Sequence, residues 1–424
     1  MTVQTPAAQA FDPATDQFNP FLPGVMDDPF GSYRALRDRD PVHHNPEIGM
    51  YFLSRYHDVS MAGRDFTRFR RGDSTDRLFA AHEGTSIQRL LQGMLFGADE
   101  PVHGRLKGFI AKAFTRRPVA ALAPRITEIC QTLLDEAGVG HGATSIDLIN
   151  QYAYPLPFQV ICELLGIPVD DRTPFLQWFR RQLPILDPFP TPEVVRDAID
   201  GCAAFEGYLT ALLGERRRAL RSQQNPPPGL LTELVALSEE SADKLSPQEL
   251  MTLVWVLIAA GFENVTNLIG NVTRALAEHP AQRWALRDDP DLYDNLTDET
   301  LRYYTSPQYN PRETAEPVQL HGVTLPAGAQ VMLLRGAANR DERRFADPDS
   351  YDLRRPDSAQ HVSFGEGWSY CTGAVLTRLE IRAAFRALLS RVGDVSVTRW
   401  ERTPSVLMWG PIVMHVEFTA AAGP

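Results

Sequence analysis

The sequence predicts a mainly α protein with small β-sheets, and three observations carry that expectation. Apolar residues recur at helical spacing through most of the chain. Strand-like runs are few and short. No linker divides the 424 residues. Length alone would suggest about two or three domains. The one Pro-rich stretch, residues 225–229, reads as a loop between helices. The expectation is therefore a flexible N-terminal segment over 1–20 and a single catalytic domain over 21–424.

The clearest helix starts at Ser246. Ser246-Pro247-Gln248-Glu249 is a capping box with proline at the first helical position. Leu250, Leu253, Val254, Leu257 and Ile258 then repeat at helical spacing to Leu268 and beyond. The run is roughly thirty residues, well above the usual length. A helix this long and apolar is expected to cross the middle of the protein. Short strands are expected at 50–54, 318–320, 330–334 and 412–418. No repeat or low-complexity tract interrupts the pattern.

Composition narrows the class. Hydrophobic residues make up 43% of the chain, enough for a large core. A net charge of -11 argues against nucleic acid as the main partner. Residues 1–20 lack a basic start followed by an apolar stretch, so no secretory signal is read there. The most apolar run, 253–262, is too short to span a membrane. A cytoplasmic protein with no membrane role is expected.

The four cysteines are Cys130, Cys162, Cys202 and Cys371, widely spaced and without a CxxC pair. Neither a zinc site nor a disulfide framework is indicated. The first three sit in apolar helical surroundings and read as buried, inert thiols. Cys371 differs, because glycines surround it in Phe364-Gly365-Glu366-Gly367-Trp368-Ser369-Tyr370-Cys371-Thr372-Gly373. Three glycines imply a tight turn with close backbone approach. A helix is expected at once afterwards, from about Gly373 through Glu380 to Leu389. Free N–H groups at its start favour thiolate over thiol. A thiolate in such a turn is a good axial ligand for haem iron. The bland reading is a buried cysteine beside a glycine turn.

This segment resembles the haem-ligand loop of the cytochrome P-450 family, in its soluble bacterial branch. Other stretches resemble family landmarks in the same order. They are Tyr154-Pro155-Leu156-Pro157 running into Leu164-Leu165-Gly166-Ile167-Pro168, then Glu299-Thr300-Leu301-Arg302, and then Ala337-Ala338-Asn339-Arg340-Asp341. The likeness runs from about Phe21 to Val416. It implies the P-450 fold, with one haem b buried between the long central helix and the cysteine loop. Cys371 is then the iron's axial ligand, with Phe364, Gly365 and Gly373 shaping the loop around the haem. Glu299 and Arg302, three apart on one helix face, are implied to pair with Arg355 in a structural trio. His103, Lys107 and Arg312 match the cations that hold the haem propionates. Lys107 stands where arginine is usual, and an ammonium cannot make the two-pronged contact. Ser369 stands where histidine is usual, so that donor is weakened or missing.

Ala260-Gly261-Phe262-Glu263-Asn264-Val265-Thr266-Asn267 resembles the segment that passes over the oxygen side of the iron, where family helices often bulge. Glu263 matches the acid of the family's acid–alcohol pair. The alcohol position is Asn264, an amide that donates and accepts hydrogen bonds but is no acid. Thr266 points to a different face. The resemblance implies that Glu263 and Asn264 manage protons and oxygen, with a substrate hydroxyl or water completing the relay. A second reading keeps the haem but couples radicals, forming C–C, C–O or C–N bonds without inserting oxygen. In a third, Asn264 is neutral drift.

Family topology places Leu91 and Met94 (in the variable loop 79–96), Phe262, Gln308, Tyr309, Met408 and Trp409 around the substrate. A Pro-rich lid turn over 183–192 is expected beside them. The mixture is apolar and aromatic, suited to a mid-sized organic ligand. The expected activity is a haem–thiolate monooxygenase that hydroxylates or otherwise oxidises such a molecule in secondary-metabolite biosynthesis. The substrate arrives free or tethered to a carrier protein. The chain holds no flavin or iron–sulfur motif, so electrons are expected from a ferredoxin and its reductase. Arg105, Lys107, Lys112, Arg116, Arg117, Arg343 and Arg344 make a candidate basic docking patch; a solvated helix face is the alternative. From other classes, a haem sensor without turnover and a thiol-nucleophile enzyme remain, though no motif places a histidine beside Cys371.

Overall fold

A computed structural model describes residues 17–420 except 73–81, 115, 187–189, 223–225, 241–244, 404 and 406–407. Two compact units divide the chain. The first is built from three separate stretches, up to Arg71, Asp298–Cys371 and Arg402–Gly410. The second takes Gly72–Thr297, Thr372–Glu401 and the segment from Pro411 onward.

The first unit carries most of the strand structure. Its five-stranded sheet runs in the order Val42–Asn45, Met50–Leu53, Gln330–Leu334, Tyr309–Thr314 and Phe69–Arg70. Met50–Leu53 pairs parallel with Gln330–Leu334, and the other pairings are antiparallel. A separate hairpin joins Val318–Leu320 to Val323–Leu325. Its two turn residues, His321 and Gly322, both take positive φ (49° and 81°), the twist that a two-residue hairpin demands. One face of the large sheet buries Phe52, Tyr309, Met332 and Leu334 against Phe18, Tyr33 and Leu36. Phe18 is fully buried, and its N–H donates to His43 Nε2 at 3.0 Å. This corrects the expected flexible segment at its end, since 17–20 belong to the fold; 1–16 lie outside the described residues.

The second unit is helical, with one three-stranded sheet ordered Ser145–Asp147, Pro411–Ala420, Val392–Arg402. Its axis is the helix Pro247–Glu278. Ser246 caps it as expected: its hydroxyl accepts the Glu249 N–H at 3.1 Å, and Glu249 returns a bond to the Ser246 N–H at 2.8 Å. The helix is long and apolar enough to cross a membrane, unlike the shorter run read from sequence. Yet 78% of its most apolar window is buried inside the protein, as befits a core helix. Trp255 is fully buried, and its indole N–H donates to Gln182 Oε1 at 2.7 Å. The helix is α throughout, so the expected bulge near 260–267 is not formed. Thr266 explains part of this, because its hydroxyl donates to Phe262 O at 3.0 Å and Ala153 O at 3.1 Å without opening the ladder.

Candidate active site

The cysteine loop is defined by its backbone. The Cys371 N–H donates to Phe364 O at 2.7 Å, closing an eight-residue loop. Gly365 turns it at φ +72°, and a Cβ there would sit 2.8 Å from Ser369 O, so only glycine fits. The Ser369 hydroxyl donates to Glu366 O at 3.0 Å. Cys371 is exposed, two residues before Gly373, the N-cap of helix Ala374–Leu389. Cys130, Cys162 and Cys202 are buried, and burial pushes each thiol up to about 12.

Three side-chain anchors hold this loop within the first unit. Glu366 is fixed by the Ser60 hydroxyl at 2.5 Å and by Arg64 at 3.1 Å. Asn339 bridges the other end. Its Oδ1 accepts the Val362 N–H at 2.8 Å, and its Nδ2 donates to Ser363 Oγ and Thr305 Oγ1, both at 2.8 Å. His361 accepts the Ser363 N–H on Nδ1 at 3.0 Å, so the ring proton sits on Nε2 and points to Asp298 at 3.1 Å. Phe364 packs against the His361 ring, with centroids 5.2 Å apart.

Behind the loop, Glu299, Arg302 and Arg355 meet in one buried network. Arg302 grips both Glu299 oxygens at 2.7 and 2.8 Å, and Arg355 adds a contact at 3.3 Å. Arg302 also donates to Pro348 O and Ser350 O, so the trio ties down the backbone before the cysteine loop. Sequence reasoning missed one neighbour of the loop. Arg335, directly after the strand Gln330–Leu334, is half-buried. Loss of solvent pushes its guanidinium down to about 10, opposed by the charges of Glu366 and Cys371. A lone arginine closing a buried apolar strand was the available signal.

Arg312 is buried, donates to Asn310 Oδ1 at 2.8 Å, and lies 6.0 Å from the Trp368 ring, over which Arg71 also stacks at 4.9 Å. In the second unit, His103 is buried on helix Val102–Ala113, its Nδ1 3.5 Å from Glu100, with Lys107 half-buried one turn on. On the long helix, Glu263 and Asn264 are half-buried. The Asn264 Nδ2 donates to Ala260 O at 3.2 Å, and its Oδ1 is enclosed without a donor among the described residues. Glu263 and Arg180 both act on Tyr154: burial raises the phenol most, Arg180 lowers it from 3.9 Å above the ring, and Glu263 raises it.

Several pocket candidates are packed inside their units. Phe262 is fully buried among Tyr154, Phe158 and Phe179. Gln308 bonds to Thr305 O and the Tyr33 hydroxyl, and burial pushes the Tyr309 phenol up to about 12. Trp409 packs on Phe30 and Tyr304 and donates to Met26 O at 3.1 Å. Leu91 and Met94 are buried and Met408 is half-buried. In the lid turn, Leu183–Leu186 forms a 3₁₀ turn; residues 187–189, like 79–81 of the variable loop, lie outside the described residues.

In the first unit the donor set fits a haem: a thiol in a tight loop, Arg312 beside the loop's Trp368, and Arg335 within electrostatic reach of Cys371; the second unit by itself carries His103 and Lys107 on one helix. When bound, the haem supplies dioxygen activation at an iron to which thiolate pushes electron density. The family model "Cytochrome P450" matches residues 50–393. The vitamin D(3) 25-hydroxylase of Pseudonocardia autotrophica is 38% identical over 379 residues, 89% of each chain. The mycinamicin IV hydroxylase/epoxidase of Micromonospora griseorubida is 34% identical over 91% of this chain and 94% of that protein. The crystal structure of CalO2 superposes with a TM-score of 0.87 at 30% identity, covering 96% of this chain and all of that one. The chain belongs to the cytochrome P450 family and is a haem–thiolate monooxygenase with haem b as its cofactor.

Proposed function

We propose that this chain, working as one catalytic domain over 21–424 in the cytoplasm, oxidises a mid-sized organic molecule of secondary metabolism. The observation that carries this is Cys371, exposed at the end of a loop whose every turn is fixed by its own backbone. The substrates named for the two relatives, vitamin D(3) and mycinamicin IV, support that substrate class. Cys371 holds the iron. Arg312, His103 and Lys107 hold the propionates. Glu263 carries a proton towards the oxygen side, and Asn264 orients a donor beside it. Substrate titration into the ferric protein tests this. A shift to high spin with one compound class supports it; a spectrum that no free or carrier-tethered compound shifts rejects it.

Asn264 favours a second reading, radical coupling without oxygen insertion, because its amide stands where an alcohol would pass protons. Labelled dioxygen separates the two: label in the product supports hydroxylation, and unlabelled coupled product supports coupling.

Electrons come from a ferredoxin and its reductase. Arg105 is paired with Glu249, Arg343 with Asp38 and Asp341, and Arg344 with Asp357, so these charges are largely neutralised. The side chains of Lys112, Arg116 and Arg117 lie outside the described residues. Charge reversal at Lys112 and Arg116 is expected to slow electron transfer at low salt. An unchanged rate removes this docking face.

A further inference from the structure

Several buried arginines donate at least one hydrogen bond to a protein acceptor. Arg37 donates to Ala337 O, Arg216 to Gly166 O, Arg283 to Asp394, Arg302 to Glu299 and Arg340 to Tyr303 O. Arg335 differs. Among the described residues its guanidinium makes no hydrogen bond, ion pair or ring contact, although it is half-buried and within electrostatic reach of Glu366 and Cys371. A cation partly withdrawn from water without an anion carries a cost.

Neither neighbour cancels that cost. Glu366 is already engaged by Ser60 and Arg64. Cys371 is the iron ligand. Ser369, at the place where the family resemblance leads one to expect a histidine donor, has its hydroxyl spent on Glu366 O. The loop therefore lacks one donor, while a guanidinium five residues beyond the start of the adjoining strand Gln330–Leu334 has none of its five N–H groups used.

We propose that Arg335 binds a haem propionate carboxylate beside the Cys371 loop, supplying the cation that Ser369 does not. This rests on the haem–thiolate reading of the same site. Arg335 is a cofactor-binding residue, and a guanidinium matches a carboxylate with two parallel bonds.

The test is haem release from holoenzyme into excess apomyoglobin, for wild type, Arg335→Met, Arg335→Gln and Arg335→Lys. Each is loaded with haem or with its dimethyl ester, which lacks the propionate charges. Loss of a charge-assisted bond is expected to speed release about tenfold or more in the Met and Gln variants, and less in Lys. With the ester the variants and wild type are expected to release alike. Equal release of ordinary haem by wild type and both neutral variants overturns the proposal. So does a neutral-variant penalty that persists with the ester, which marks a structural role. Unchanged haem release with weakened binding of carboxylate-bearing ligands, read from the spin shift, overturns it too and assigns the carboxylate to substrate. A wild-type protein without a thiolate-ligated haem would instead overturn the functional reading itself.

Discussion

The cysteine loop and the 260–267 stretch of the long helix are built in opposite ways. In the loop, position is set by backbone bonds and by three anchors, Glu366, Asn339 and His361. In the helix, the ladder is regular and the side chains vary. Asn264 Oδ1 and Asn267 Nδ2 lie on one face, three residues apart, enclosed and without partners among the described residues. The loop is held by its own bonds and anchors, while the helix face carries amide atoms that those bonds do not reach. An unmatched buried group costs about 1–3 kcal/mol, so the helix gives up stability at these two positions.

The largest expected effect breaks the loop. Cys371→Ser is expected to abolish the thiolate signature of the reduced carbon monoxide adduct while leaving helix content intact by circular dichroism. An intact signature would mean that another residue ligates iron. Next comes Asn339→Ala, which strips the Val362 N–H and the Ser363 and Thr305 hydroxyls of a buried partner. A loss of roughly 2–4 kcal/mol in denaturant unfolding is expected. A loss under about 0.5 kcal/mol, the level of a surface change, would show that the loop stands without its anchor.

A third test concerns the helix that follows the loop. Glu380 is buried on Ala374–Leu389 and makes no hydrogen bond or ion pair among the described residues; burial raises its carboxyl well above the usual range. The folded state therefore prefers the protonated form. Its stabilising effect is full below the ordinary carboxyl pKa of 4.5 and is lost as pH rises towards the folded value. Glu380→Gln is expected to be more stable than wild type near neutrality and to flatten that slope. An unchanged pH profile of unfolding would reject a buried, unpaired carboxyl. The smallest effect is Asn264→Thr. A threonine hydroxyl can bond to Ala260 O as Thr266 does to Phe262 O, so a gain of about 1 kcal/mol is expected. A destabilised variant would show that the asparagine carbonyl is matched.

Local features were legible in the sequence. The Ser246 capping box, the strand 330–334 and the glycine-bounded cysteine loop follow from short-range rules. What each buried face meets was not legible. The family resemblance placed Phe262 beside the substrate, but its ring partners, Tyr154 and Phe158, come from more than a hundred residues earlier. Arg105 read as a free basic charge because its acid, Glu249, is 144 positions away. Tyr309 and Trp409 combine apolar bulk with a polar tip, a mixture that suits a pocket wall and a core equally. Arg335 escaped notice because its only signal, a lone charge closing an apolar strand, does not say what the charge meets.

The parallel pairing of Met50–Leu53 with Gln330–Leu334 has a consequence for biosynthesis. The later strand leaves the ribosome some 277 residues after the earlier one (330 minus 53). At about 5–20 residues per second, that is roughly 15–55 s. Until then Met50–Leu53 can pair on one edge with Val42–Asn45, while the partner of its other edge has yet to be synthesised. An open apolar edge invites pairing with other chains, so yield in a heterologous host is expected to depend on chaperone supply during translation more than on the stability of the finished enzyme.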